Sequence, residues 1–378
     1  MGVYHRGHWP GLRSLTGIVS TPVLRADGSI LSTPGYDRLT GLYLDPCGLV
    51  IDVPDQPTRE QSQDAALELL SIFADFPLEA PYHAASLLAA ILTGFSRHAF
   101  TGPSPLFAID ANVRGSGKSL MADGIGLILT GDDLPRMSNP RDDEEARKRI
   151  TSLVVRGDSL CLIDNIAGEL GGAALDAALT ATRWQDRILG RSEVVDMPLS
   201  ITWLATGNNI QLAADTSRRV CHIRLNCHEE RPEERQGFTY PDLRGHIKAH
   251  RESLVSAALT CLRGYHVAGR PQAKLPGWGS FEGWTALVRQ CVRWLGHHDP
   301  ADGRVELMER SDTQASALRQ LLESWHEVDH HGDGITTGDL LTKLSQSRDY
   351  YPGVREAILE LCGGTFDKLP GVRSVGNK

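Results

Sequence analysis

Leu106-Phe107-Ala108-Ile109-Asp110-Ala111-Asn112-Val113-Arg114-Gly115-Ser116-Gly117-Lys118-Ser119-Leu120-Met121-Ala122 opens as a short apolar run, turns through glycine and serine, and ends in Lys-Ser heading an apolar-periodic segment. Strand, loop and helix in that order form a nucleotide phosphate cradle. Backbone N–H groups of such a loop line an anion-favouring concavity, and the next helix adds its positive N-terminal pole. Lys118 is placed to reach the outer phosphates and the Ser119 hydroxyl to sit on Mg²⁺. The expected nucleotide contacts are Asn112, Val113, Arg114, Gly115, Ser116, Gly117, Lys118, Ser119 and Leu120. In the pattern G-x-x-x-x-G-K-[ST] the first glycine is here Asn112. Asn tolerates positive φ next best after glycine, so the loop is expected to accept it. Gly115 adds backbone freedom inside the loop.

The chain has 378 residues, a length that suggests two or three domains. An apolar content of 41% and a charged content of 23% are those of an ordinary folded protein. The net charge of −8 argues against a generally basic nucleic-acid coat but leaves room for a local basic groove. The seven cysteines form no C-x-x-C, and Met1 to Pro10 has no apolar h-region, which together read as cytoplasmic. No apolar run approaches the roughly 20 residues of a membrane span.

Residues 1–58 read as a β-type or irregular segment, with turn signals at Asp27-Gly28 and Pro34-Gly35. Residues 59–103 read as a helical hairpin: Ala66, Leu69, Leu70 and Phe73 share one face, and after Pro77 and Pro81 come Leu87, Leu88, Ile91, Leu92 and Phe95. Residues 104–230 alternate strand and helix, as a parallel α/β domain does. Gly131 is the expected end of the helix that begins at Lys118. In Asp142 to Arg149 the pairs Asp143/Arg147, Glu144/Lys148 and Glu145/Arg149 are spaced i,i+4, which reads as a solvated, internally neutralised helix face.

Ser159-Leu160-Cys161-Leu162-Ile163-Asp164-Asn165 is a buried-strand pattern that delivers Asp164 to its carboxyl end, where such an acid holds Mg²⁺. Asn165 follows; it can orient water but cannot accept its proton. Glu169 is the nearest carboxylate and reads as a surface residue, so the base is unassigned. Residues 187–191 and 193–197 read as two short strands or a hairpin. Leu199 to Thr206 is another buried strand, ending in Gly207-Asn208-Asn209. Asn208 at that tip reads as a γ-phosphate sensor; the same residues also make a good turn. Arg218-Arg219 precedes the strand Val220 to Leu225 and reads either as an arginine finger acting on a neighbouring subunit or as a surface ion-pair partner. Cys221, His222, Cys227 and His228 match no usual zinc spacing.

Asn112 to Ser119, Asp164-Asn165, Thr206 to Asn209 and Arg218-Arg219, in this order, resemble the superfamily 3 helicases of the AAA+ class, in particular the helicase portion of phage- and plasmid-type primase-helicases. Gly35-Tyr36-Asp37, Thr40-Gly41-Leu42 and Asp186 to Ser192 also resemble that group, and the resemblance covers roughly residues 30–270. It implies an ATP-driven, usually hexameric ring with sites shared between subunits. It also implies a channel hairpin gripping single-stranded DNA, where Arg187 and Arg191 fall here. The family carries an acidic pair where this chain has Asp164-Asn165, and glycine where it has Asn112.

Residues 231–310 read as helical, with Leu254, Ala257, Ala258 and Leu262 in period. Residues 311–378 read as a winged-helix-like unit: a helix through Leu318 and Trp325, one capped by Thr336 and Asp339, one opened by Pro352, then Phe366 to Val375 as strand. DNA binding and protein contact are both open for it, since its third helix carries Arg355 but also Glu356 and Glu360.

The expected protein is thus a phosphate-loop α/β ATPase with Mg²⁺, working as an oligomeric helicase or translocase on single-stranded DNA in phage or plasmid replication, with a primase or other replication protein as a partner. Its catalytic set is Lys118, Asp164, Asn165, Asn208, Arg218 and Arg219. An ATP-binding assembly switch or loader with little hydrolysis is the second reading, motivated by Asn165.

Overall fold

The computed structural model describes residues 11–187, 194–229, 231–330, 333–346, 350–363 and 368–376. The chain divides into two compact units, residues 1–304 and 305–378.

In the first unit, short strands occupy the N-terminal segment: Gly17–Val19 and Leu42–Leu44 pair in parallel, and Gly35–Tyr36 joins antiparallel. Helix α1 (Arg59–Ser71) starts with a capping box, in which Thr58 and Gln61 satisfy each other's backbone N–H. Helix α2 (Pro81–Ser96) starts at a proline whose missing N–H costs nothing there. It is apolar nearly all round and correspondingly buried; Leu87, Leu88, Ile91 and Leu92 are all 0% exposed.

Strand β1 (Leu106–Ala111), helix α3 (Lys118–Thr130), strand β2 (Arg136–Ser138), helix α4 (Asp143–Arg156), strand β3 (Leu160–Ile166), strand β4 (Thr202–Asn208) and strand β5 (Val220–Leu225) build the core. The five strands form one sheet in the order β5-β1-β4-β3-β2, every neighbouring pair parallel. Continuous apolar runs such as Leu106-Phe107-Ala108-Ile109 suit strands covered on both faces. Helices α1 and α2, the later helix Arg251–Val267 and the aromatic cluster of Trp278, Phe281 and Trp284 share one continuous core with the sheet.

Gly131 ends α3 at φ 84°, a left-handed conformation that glycine adopts freely. Asp142 caps α4 by accepting from the Glu145 amide. On α4, Lys148–Glu144 and Arg149–Glu145 pair at 2.7 Å. The expected Asp143/Arg147 pair does not form. Asp143 instead accepts from the amides of Ala173 and Ala174, the orphan donors that open helix Ala173–Ala178. Arg147 reaches across to Asp186 at 2.7 Å. An exposed i,i+4 pair stabilises by only a few tenths of a kcal/mol, so such contacts displace it readily.

The second unit packs Val328, Leu340, Leu344, Val354 and Ile358 from helices Thr337–Gln346, Pro352–Cys362 and the loop before them. The strand expected over 366–375 is not what the described part of that stretch forms: Val372–Gly376 is a short helix. Val375 packs partly against the small core and Val372 is exposed.

Among the described residues no helix is long and apolar enough to cross a membrane. Replacing the α4 cap, Asp142→Ala, is expected to destabilise the first unit by about 1 kcal/mol, read as a lower urea midpoint of the far-ultraviolet signal.

Candidate functional site

A parallel sheet sends every strand's carboxyl end to one edge, and the register makes them level there. Asn208 lies opposite Ala111, and Ser138 opposite Asp164. Because β4 runs between β1 and β3, Asn208 is delivered between the phosphate loop and Asp164.

In the loop, Gly115 (φ 75°) and Gly117 (φ 88°) are the left-handed residues. Any Cβ on Gly117 would meet the Phe76 ring at 2.8 Å. Asn112 does not take the positive φ anticipated for it. Its role is carried by the side chain: Nδ2 donates to Asn226 Oδ1 (2.9 Å) and the Cys227 carbonyl (2.8 Å), and Oδ1 accepts from the Cys227 amide (3.0 Å). A glycine could not tie the loop's base to the segment after β5. Val113, Arg114, Ser116 and Leu120 complete the loop and first turn; Val113 and Ser116 face Lys118, and Leu120 lines the cavity described below.

The Lys118 ammonium donates to Asn208 Oδ1 at 2.6 Å, to Ser116 Oγ at 2.9 Å and to the Val113 carbonyl at 3.3 Å. Burial lowers its pKa, opposed by the field of Asp110. Ser119 Oγ donates to Asp164 Oδ1 at 3.1 Å. Thr206 Oγ1 donates to the same oxygen at 2.5 Å and accepts from the Asn165 amide at 3.0 Å. Arg136 Nη1 donates to Asp164 Oδ2 at 2.8 Å. Partial burial raises the Asp164 pKa, but the bonds from Thr206, Arg136 and Ser119 outweigh it and hold the carboxyl below its ordinary value.

Asn165 has φ 55°. The β3–β4 register shifts there, with Asp164 and Asn165 together opposite Thr206, a bulge of two residues against one. Asn is among the few non-glycine residues that adopt this conformation readily. Backbone geometry therefore explains the residue type independently of any chemistry. The exposed Glu169 lies in the short strand Glu169–Leu170, paired to Gln211–Leu212.

Asp110, at the end of β1, is a site residue that sequence reasoning missed. Its carboxylate, 1% exposed, accepts from the Ala111 amide (2.8 Å), the Ile210 amide (3.0 Å) and Arg224. Arg224 also donates to Asn209 Oδ1 at 3.1 Å and pairs with Glu79 at 2.9 Å. Burial opposes ionisation of Asp110, yet His222, the Ile210 amide and Arg224 keep its pKa below the ordinary value. Thr206 and Arg136 were also missed. The apolar run ending in Thr206 was the available signal for the first; a three-residue strand gave none for the second.

Beside the loop opens a cavity of about 390 Å³ lined by Phe76, Pro232, Phe238, Tyr240 and, at its rim, Glu233 and Arg244. The two predicted finger arginines part company. Arg219 lies inside, its side chain 13% exposed and paired with Asp176 at 3.0 Å. Arg218 lies outside at 56% exposure, beside Asp215 at 2.9 Å. Arg187 ends the strand Arg183–Arg187, which pairs antiparallel with Val194–Pro198. Arg191 lies outside the described residues. The site thus brings Lys118 to Asn208 and Ser119 to Asp164, while Arg218 and Arg219 pair with Asp215 and Asp176.

No family model matches the chain, and no curated protein matches it. Among solved structures, the chain is similar to the NrS-1 C-terminal region at 9% identity, covering 91% of this chain and 76% of that one with a TM-score of 0.44. It is similar to the active helicase Cch of SCCmec type IV at 14% identity, covering 91% and 65% with a TM-score of 0.36. It is similar to JCV helicase at 12% identity, covering 68% and 72% with a TM-score of 0.27.

The bulge makes one outcome specific. Asn165→Gly is expected to keep the wild-type stability, whereas Asn165→Ala, forced to φ 55°, loses about 1 kcal/mol. Chemical denaturation of the two variants side by side measures the difference.

Proposed function

We propose that the chain binds Mg²⁺-ATP at this edge of the sheet and hydrolyses it as an oligomeric helicase or translocase on single-stranded DNA. The observation that carries the reading is a pair of contacts made by adjacent residues at the start of α3, Lys118 with Asn208 at the tip of β4 and Ser119 with Asp164 at the end of β3. Such a set suits phosphoryl transfer, where the protein's work is positioning and charge stabilisation.

The donor set fits the metal. The Ser119 hydroxyl and the Asp164 carboxylate are hard oxygen donors 3.1 Å apart, the kind Mg²⁺ takes one or two of while keeping its waters. Bound there, Mg²⁺ supplies charge neutralisation for the β- and γ-phosphate oxygens. Gly115 and Gly117 are left-handed, a conformation suited to a loop whose backbone amides cradle an anion, and Lys118, bonded to Ser116 of that loop, would meet the outer phosphates. Asn208 is placed to exchange its bond to Lys118 for one to the γ-phosphate or attacking water. The aromatic cavity beside the loop is the place for the base.

Arg218 is our choice for action on a neighbouring subunit, since Arg219 is committed to Asp176. A hexameric ring, DNA contact through Arg187 and Arg191, a primase or replication partner, and a phage or plasmid setting follow from the resemblance and belong to the same proposal. A cytoplasmic site of action and a DNA- or protein-contacting role for residues 311–378 come from the sequence pattern instead and are part of the same proposal.

The second reading, an ATP-binding switch or loader with little hydrolysis, is favoured by one observation. Asn165 stands where the family it resembles carries an acid, and an amide cannot accept the attacking water's proton.

ATP turnover with and without single-stranded DNA separates the two. The motor reading expects DNA-stimulated turnover that falls by at least about a hundredfold in Lys118→Ala, the scale on which a lost transition-state donor is felt. ATP-dependent assembly without turnover would establish the switch instead; turnover indifferent to Lys118 would overturn both.

A further inference from the structure

Asp164 is held from two sides. Its Oδ1 accepts from Ser119 (3.1 Å) and Thr206 (2.5 Å), and its Oδ2 from Arg136 Nη1 (2.8 Å). The hydroxyls alone would leave the carboxylate free to swing about Oδ1. The guanidinium on the far oxygen stops that rotation and keeps Oδ1 turned toward Ser119.

Arg136 is itself fixed. Its Nη2 donates to Asp123 Oδ1, on α3, while Asp123 Oδ2 accepts from Arg244 Nη1 at 2.6 Å. The Asp123 side chain is 9% exposed and is saturated by the two guanidiniums. Arg244 also pairs with Asp133, which anchors the far end of the chain of charges. The row Asp164–Arg136–Asp123–Arg244 therefore runs from the metal carboxylate, across the first helix after the loop, to the rim of the aromatic cavity.

We propose that Arg136 is a positioning residue for the metal carboxylate, fixing Asp164 so that its Oδ1 and the Ser119 hydroxyl present one preformed cation site. The proposal rests on the reading of this site as a Mg²⁺-nucleotide site. Partners that orient a metal ligand from outside typically change metal affinity by about 10–100-fold when removed. A cation placed only to balance charge would act oppositely, since deleting it would strengthen binding of a second cation.

The test is Mn²⁺ binding to the full chain in the presence of ATP, read by electron paramagnetic resonance, together with ATP binding in EDTA. Arg136→Gln is expected to weaken Mn²⁺ binding by at least about tenfold while leaving metal-free ATP binding unchanged. Arg136→Lys, which keeps the charge but offers a point contact, is expected to recover part of the loss. Unchanged or tighter Mn²⁺ binding in Arg136→Gln, with ATP binding still lost in Lys118→Ala, overturns the proposal and leaves the site reading standing. ATP binding indifferent to Lys118→Ala overturns both. Unchanged ATP binding in EDTA also shows that Arg136→Gln is folded, so a lost metal affinity then reports on position rather than collapse.

Discussion

The hydroxyl of Thr206 does the most to join the site together. It donates to Asp164 and accepts from the Asn165 amide, so one side chain of β4 closes the bulge in β3 and aims its carboxylate. That contact exists only because β4 is inserted between β1 and β3. The same insertion brings Asn208 against Lys118. Sheet order, a global property, thereby becomes a set of contacts within about one hydrogen-bond length, and none of the four elements involved could form the site from its own sequence neighbours.

What was legible in the sequence follows local physics. The loop, its strand and its helix lie within a few residues of one another, so turn chemistry and apolar pattern suffice. Asp164 and Asn208 were readable because a buried parallel strand announces itself as an apolar run and its carboxyl end is where polar residues resume. Arg136, Asp123 and Arg244 were not readable. Each sits in an unremarkable local context, and their meaning arises from pairing across separations of 13 to 121 residues. Asn112 and Asn165 show the limit of a motif position. Both are Asn, yet the backbone demand falls on Asn165, while Asn112 acts through its amide.

The charges tell the same story at larger scale. The pattern on α4 looked self-contained, but Asp143 and Arg147 are drawn off to other elements. At the pair Arg218-Arg219, adjacency in sequence suggested equivalence, whereas the largely buried Asp176 holds one side chain and the exposed Asp215 the other. Exposed i,i+4 pairs stabilise by only a few tenths of a kcal/mol, so the open amides of Ala173 and Ala174 and the largely buried Asp186 side chain can each draw a partner away.

Asp110 and Arg224 raise the converse question of why a buried ion pair stands at the foot of the phosphate loop. Burying both charges is expensive, and a well-packed apolar pair is often as stable. An apolar pair, however, would orphan the amides of Ala111 and Ile210 and release Asn209. Those groups flank the start of the loop and the tip that carries Asn208. The pair therefore contributes alignment more than stability: it holds the two strand ends at a fixed spacing, and the Lys118–Asn208 contact inherits that spacing.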